Sequence, residues 1–161
     1  MLQKNASQRV LNELETLFRT LALESKKTNS HLKNSAEKAI IKIREYKSAK
    51  KSIDQLRNTL SNDIILRPLI LSWSSKNISI SLTALNILQK LLNVNCISSD
   101  SFMQILISLR TLLTLHTTSH LKNSSYSSHN QSNLDINIQI KMCQILIQIP
   151  NSSSWTVSKP F

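Results

Sequence analysis

The sequence predicts an all-α fold, an α-solenoid of the armadillo or HEAT type with about seven antiparallel helices. Along most of the chain, apolar residues recur at the three- and four-residue spacing of amphipathic helices. The 161 residues contain no glycine, which tight β-hairpins use where the backbone needs a positive φ. Hydrophobic residues make up 40% of the chain and aromatic residues only 4%, which predicts the aliphatic core common in stacked helices.

Four helices are predicted in the first half of the chain. They span residues 7–26, 30–47, 49–60 and 63–74. Asn29 and Ser30 are good N-caps for the second helix, because their side chains can accept hydrogen bonds from its free amides. Pro68 lies inside the fourth pattern, so that helix either begins at Pro68 or kinks there.

Three more helices are predicted in the second half. They span residues 77–92, residues from Ser99 to about 116 with Ser99 as the N-cap, and residues 134–149. The segments 78–82 and 134–142 alternate as strands do, but the helical spacing resumes beyond each of them. Residues 117–133 are rich in Ser, Asn and His and predict a flexible loop. We therefore expect one domain over residues 1–149 and a disordered tail over 150–161.

Basic residues are concentrated in the first part of the chain. The formal net charge is +11, and the first 57 residues hold thirteen Lys or Arg against six acids. Five lysines at the corner between the first two helices form the candidate interaction site: Lys26, Lys27, Lys33, Lys38 and Lys42. Such a basic surface suits anionic lipid headgroups or an acidic protein face. An ordinary solvated helix face is the alternative interpretation.

No catalytic, metal or cofactor site is predicted. The acids are spaced for exposed ion pairs along single helices, namely Glu15–Arg19, Lys33–Glu37, Lys50–Asp54, Glu24–Lys27, Lys42–Glu45 and Asp54–Arg57. His116 and His120 have the spacing of two metal ligands, but no third ligand lies nearby. Cys143 lies in an apolar run and is predicted to be a small core residue. No apolar run is long enough to cross a bilayer.

The segment over residues 21–43 resembles a known family. The runs 21–27 and 36–40 carry most of the similarity, and Pro68-Leu-Ile-Leu with Ser75-Lys76-Asn77 adds a weaker match. They resemble the start of the monensin-sensitivity (Mon) proteins, relatives of the large Arf guanine-nucleotide exchange factors. The N-terminal module of both groups is the DCB (dimerisation and cyclophilin-binding) domain. The resemblance covers about residues 11–115.

The resemblance implies a non-catalytic scaffold of endosome-to-Golgi traffic, in the cytoplasm and peripheral on Golgi or endosomal membranes. Implied partners are a second copy of the chain, a Dopey-type scaffold, an Arf-like GTPase and a flippase. Further helices follow in the family, so this chain is expected to be a fragment whose last helix exposes apolar side chains. One alternative is the regulatory region of an Arf exchange factor. Another is an unrelated basic module for RNA or lipid, although stacking aromatics for nucleic acid are missing from the basic half.

Overall fold

The computed structural model describes residues 2–49, 53–75, 77–122 and 129–149. Within these ranges the chain forms helices and no strand, which confirms the predicted all-α class. The helices are α1 (Leu2–Ser25), α2 (Ser30–Ser48), α3 (Ile53–Leu60), α4 (Asp63–Trp73), α5 (Ile78–Asn93), α6 (Ser99–Lys122) and α7 (His129–Gln148).

Six of these helices stack in two rows. The first row contains α1, α5 and α7, and the second contains α2, α4 and α6. Across the rows, α1 packs on α2, α4 on α5 and α6 on α7, while the short α3 contacts α2 and α4. A stack of antiparallel helix pairs is the arrangement of an α-solenoid, as predicted from the sequence.

The core between the rows is mainly aliphatic. Leu85 and Leu88 of α5 are fully buried, because α5 is covered by α1, α4 and α7. The largest buried side chains are Phe18 of α1 and Trp73 at the end of α4. Pro68 lies within α4, so the helix continues through it, and Ser72 Oγ donates a hydrogen bond of 2.6 Å to the Pro68 carbonyl.

Polar side chains cap the N-termini of four helices. Asn29, Asn62 and Asn77 accept hydrogen bonds from the backbone amides of Leu32 at 3.0 Å, Ile64 at 2.9 Å and Ile80 at 3.2 Å. For α6, Ser98 Oγ accepts from the Ser101 amide at 3.3 Å. The prediction that Ser99 caps α6 is therefore wrong by one residue, because Ser99 already belongs to the helix.

The strand-like alternation near the C-terminus belongs to a helix with two apolar faces. Ile138 and Met142 of α7 are buried, whereas Ile136 and Ile140 between and beside them are exposed. Residues two apart on a helix lie about 200° apart around its axis, so an alternating run places its apolar side chains on opposite faces. The expected exposure of apolar side chains on the last helix is confirmed.

Where the structure describes the predicted loop over residues 117–133, it is helical. α6 continues to Lys122 and α7 begins at His129, while residues 123–128 lie outside the described ranges, as does the predicted tail. Polar composition does not end a helix by itself, since the backbone amides and carbonyls bond within it. The sequence has no Pro or Gly between residues 117 and 133 to interrupt that pattern.

Candidate interaction surface

The corner between α1 and α2 is a tight turn fixed by hydrogen bonds. Ser25 is buried at the end of α1, where its hydroxyl donates to the Leu21 carbonyl at 2.8 Å. The amide of Asn29 donates to the Ser25 carbonyl at 2.9 Å, and the side chain of Asn29 then caps α2 as predicted. The intervening residues 26–28 form the turn and are exposed. The corner thus holds Lys26 and Lys27 outside the core.

The five candidate lysines differ in their exposure and pairing. Lys26, Lys27 and Lys38 are exposed. Lys33 and Lys42 are partly buried and lie near carboxylates of α2, with Nζ–Oε distances of 3.6 Å to Glu37 and 3.5 Å to Glu45, as their spacing predicted. Both pairs lie at the surface, where they contribute only about 0.2–0.5 kcal/mol each. Lys26, Lys27 and Lys38 are therefore the strongest candidates for contact with an external anion.

Helix geometry separates the candidate lysines into subsets. Lys38 and Lys42 lie one turn apart on the same edge of α2, on the side away from the buried Ile40. Lys33 lies five residues before Lys38, about 140° around the helix, and so it is on the other flank. The structure thus brings Lys38 and Lys42 together and keeps Lys33 apart from them.

A second basic cluster surrounds Glu15, which sequence reasoning placed in an exposed pair. Glu15 is only 6% exposed, because α2 covers this side of α1. Its Oε1 accepts from Arg19 Nη2 at 2.6 Å and from Arg44 Nε at 2.9 Å, and its Oε2 accepts from Lys47 Nζ at 2.7 Å. The Glu15–Arg19 pair exists, but it belongs to a partly buried junction between the two helices.

The three cations stabilise the ionised form of Glu15. The hydrogen bonds from Lys47 and then Arg44 are the main causes that lower its pKa from 4.5 to about 2, against the opposing effect of burial. Only the contact with Arg19 has a sequence signal, the four-residue spacing. Arg44 and Lys47 lie about thirty residues away, so their contacts depend on how α1 and α2 pack.

Two other carboxylates of α1 bond to α5. Glu24 accepts hydrogen bonds from Ser79 Oγ at 2.7 Å and Thr83 Oγ1 at 3.1 Å, so the predicted pair with Lys27 is wrong. Glu13 accepts from Lys90 Nζ at 2.5 Å. Hydrogen bonds from Lys90 and then Arg9 lower the pKa of Glu13. Because Glu13 and Glu24 lie three turns apart, they fix α1 along much of α5.

The two cysteines have opposite environments. Cys96 is buried, and burial raises the pKa of its thiol to about 11. Cys143 is exposed, so its predicted core position is wrong, because it lies on the outer face of α7. The structure describes only the backbone of Asp54, His116 and His120, so the predictions for their side chains stay predictions.

The described residues contain no group of three or more His, Cys, Asp or Glu side chains that could hold a metal ion. None of the helices, as far as they are described, combines the length and apolarity that a membrane span needs.

Comparison with known proteins identifies the family. The family model for the Mon2/Sec7/BIG1-like dimerisation and cyclophilin-binding domain matches residues 5–123, which include the corner and the lysines. No curated protein and no solved structure matches the chain. The family model covers well over half of the sequence, and the all-helical fold agrees with the resemblance of residues 21–43. The chain therefore belongs to the Mon2/Sec7/BIG1-like dimerisation and cyclophilin-binding (DCB) domain family.

Proposed function

We propose that this chain is a non-catalytic scaffold or adaptor module of endosome-to-Golgi vesicular traffic. The observation that carries the proposal is the match to a family of interaction domains over residues 5–123. The module would act in the cytoplasm, peripherally on Golgi or endosomal membranes. Its proposed partners are a second copy of the chain, a Dopey-type scaffold, an Arf-like GTPase and a flippase.

The basic corner supplies the proposed contact with acidic surfaces. Lys26, Lys27 and Lys38 are exposed, and Lys42 shares an edge with Lys38. Near an anionic bilayer each such charge contributes about 1 kcal/mol of attraction, which is screened over about 10 Å at ordinary salt. This attraction would contribute to membrane binding, most strongly at low salt. Lys33 lies on the other flank of α2 and would contribute less.

Flotation of the protein with anionic liposomes tests this contact. We expect the K26E/K27E/K38E/K42E variant to lose most of its flotation, because the exposed cations at the corner become anions. The matched control is R57E/R67E/R110E/K141E, which makes the same change in net charge at residues that are exposed or partly exposed elsewhere. The control should float much better than the corner variant. Equal flotation of the corner variant and the wild type would eliminate the proposed membrane contact.

The partners require a separate experiment. A pull-down from cytosol with the wild type and the corner variant, followed by mass spectrometry, should recover trafficking scaffolds or small GTPases. Partners lost only with the corner variant would be assigned to the basic surface. Recovery of RNA-binding proteins and RNA, with binding that falls steeply as salt rises, would instead indicate that the basic surface binds nucleic acid.

The family match also favours a second candidate function, because its description includes Sec7-type and BIG1-type proteins. In that case the chain would act as the N-terminal regulatory region of a large Arf exchange factor. Adding the purified chain to such an exchange factor and measuring nucleotide release from Arf discriminates the two. A change in the exchange rate supports the regulatory function, and an unchanged rate supports the scaffold.

A further inference from the structure

Two large apolar side chains are exposed on the α1–α2 hairpin, which consists of α1, the turn after it and α2. Among the described side chains of these two helices, Leu23 is 72% exposed and Ile41 is 54% exposed, and no other large hydrophobic side chain is. Single exposed apolar residues are common on protein surfaces, so exposure alone indicates no function. The positions of Leu23 and Ile41, relative to each other and to the cations around them, are more informative.

Glu15 fixes the relative position of the two helices at this place. Its Oε1 accepts hydrogen bonds from Arg19 of α1 at 2.6 Å and from Arg44 of α2 at 2.9 Å, so the two guanidinium groups meet at one oxygen. Leu23 lies one turn beyond Arg19 along the chain, and Ile41 lies about one turn before Arg44. Because α1 and α2 run in opposite directions, both steps lead from the arginines towards the corner. Leu23 and Ile41 therefore lie on the same side of the hairpin.

Cations lie next to each of the two apolar side chains. The Lys26 amide donates to the Leu23 carbonyl at 3.2 Å, so Lys26 lies in the turn directly after Leu23. Ile41 lies three residues after Lys38 and three before Arg44, each about 60° away around the helix axis. We define six residues as the hairpin face: Arg19, Leu23, Lys26, Lys38, Ile41 and Arg44.

The surroundings of the hairpin face remain basic when its acids are counted. Residues 15–47 contain eight Lys or Arg and four Glu. Glu37 and Glu45 each lie one turn from Ile41, but each has a lysine of its own within 3.6 Å. Glu24 accepts hydrogen bonds from α5 instead. Cations are therefore in excess around both apolar side chains.

An anionic bilayer matches this arrangement better than a protein partner does. At a bilayer surface, apolar side chains enter the boundary between headgroups and acyl chains, while neighbouring cations attract the anionic headgroups. Arg19 and Arg44 suit that contact, because their side chains are more than half exposed and a guanidinium has five N–H donors. The core of a protein interface, in contrast, is depleted of charged residues. Here a cation lies within one turn of each apolar side chain.

We infer that the hairpin face binds anionic membranes by inserting Leu23 and Ile41 among the headgroups while its cations contact lipid phosphates. The inference rests on the proposed function in assuming contact with a membrane, and it adds an apolar contribution to that of the basic corner. The two contributions differ in their response to salt, since ions screen the attraction between charges but do not prevent apolar burial. Part of the binding should therefore persist at high salt.

Flotation with vesicles of phosphatidylcholine and about 30% phosphatidylserine, at about 0.05 M and 0.5 M NaCl, separates the two contributions. We expect Leu23→Ser/Ile41→Ser to lower the vesicle partition constant about tenfold at both salt concentrations, because the lost apolar burial does not depend on screening. The K26E/K27E/K38E/K42E variant should differ from the wild type mainly at the lower concentration. The control is Met103→Ser/Ile107→Ser on α6, whose side chains are 58% and 64% exposed. It should bind as the wild type does, and circular dichroism verifies that all variants are folded.

The possible failures of the two proposals can be told apart. Equal partition constants for the wild type and Leu23→Ser/Ile41→Ser, or an equal loss in the α6 control, would overturn the insertion and leave the basic contact standing. A wild type that does not float at either salt concentration would overturn both proposals. Loss of an acidic protein from the pull-down with Leu23→Ser/Ile41→Ser, at unchanged flotation, would assign the hairpin face to that protein instead.

A fluorescent label gives an independent measurement of insertion. Because Cys96 is buried, a thiol-reactive, environment-sensitive probe can be attached to Leu23→Cys or Ile41→Cys in a Cys143→Ser background. Its emission should shift to the blue on anionic vesicles and be quenched by groups attached to the lipid near the headgroups. The same probe on Met103→Cys should change little. Unchanged emission at positions 23 and 41 in vesicle-bound protein would place both side chains outside the bilayer.

Discussion

At the scale of single residues, the carboxylates of α1 position the first helix of the stack. Glu15 is nearly buried and bonds to Arg19, Arg44 and Lys47, whereas Glu13 and Glu24 bond to α5. A buried charge is tolerated only where its partners replace the lost hydration, and here three cations do so. Glu15 is thus a structural residue that joins α1 to α2.

Replacing Glu15 tests this role. Glu15→Gln keeps the shape but removes the charge, so we expect the free energy of unfolding at neutral pH to fall by about 1–3 kcal/mol. The control is Glu37→Gln, whose exposed pair with Lys33 should contribute about 0.5 kcal/mol or less. Urea unfolding followed by circular dichroism measures both. An equal effect of the two substitutions would contradict the structural role of Glu15.

The contribution of Glu15 should also depend on pH. Folding lowers its pKa from 4.5 to about 2, so the stability it provides is fully present above about pH 4.5. That stability is lost as the pH falls towards 2, because the folded protein then binds the proton as well. The difference between wild type and Glu15→Gln should therefore shrink over this interval. A difference that is constant down to the lowest pH at which both fold would contradict the assignment.

At the scale of helices, the sequence predicted where the helices lie better than which residues of different helices contact each other. The cap at Asn29 was predictable because its hydrogen bond reaches only to Leu32. The partners of Glu15 on α2 and of Glu24 on α5 were not predictable, because they depend on how separate helices pack. The outer position of Cys143 on α7, in contrast, follows from helical spacing, because Cys143 lies about 140° around the axis from the buried Ile138. The prediction of a core position relied on its apolar neighbours in sequence and missed this spacing.

The cap of α2 gives a prediction at this scale. Asn29→Ala removes the side-chain acceptor for the Leu32 amide and should lower the free energy of unfolding by about 1 kcal/mol. Asn29→Gly should lower the free energy of unfolding by only about a few tenths of a kcal/mol, because glycine leaves the Leu32 amide open to water. Asn34→Ala on the exposed face of α2 serves as the control, because alanine favours the helix there. Chemical denaturation measures the three variants, and a neutral Asn29→Ala would contradict the capping assignment.

At the scale of the whole molecule, α5 is the central helix of its row. It contacts α1 and α7 within the row and α4 across it. The overall stack was predictable from the helix lengths and short connections, and so was the candidate basic corner. The pairs of Lys33 and Lys42 were predictable from their spacing. The absence of a pair between Lys27 and Glu24 was not, because Glu24 bonds to α5. The apolar outer face of α7 was expected, but its regular spacing became clear only from the exposure of each residue.

A cavity between α5 and its neighbours should therefore lower the stability of the whole stack. Leu88→Ala removes a fully buried side chain, and we expect the free energy of unfolding to fall by about 2–5 kcal/mol. Leu23→Ala is the matched control, because Leu23 is 72% exposed and should change the stability by less than about 0.5 kcal/mol. Thermal and urea unfolding measure both variants. Similar effects of the two substitutions would contradict the central position of α5.

The contact between α1 and α5 has a consequence for synthesis on the ribosome. Ser79 and Thr83 donate hydrogen bonds to Glu24, and Lys90 donates to Glu13, so these bonds join residues separated by 55 to 77 positions. The α1–α2 hairpin can form as soon as both helices have emerged. The face of α1 that packs against α5, however, stays uncovered until α5 has been synthesised. During this interval the nascent chain exposes the apolar and acidic side of α1 that α5 later covers.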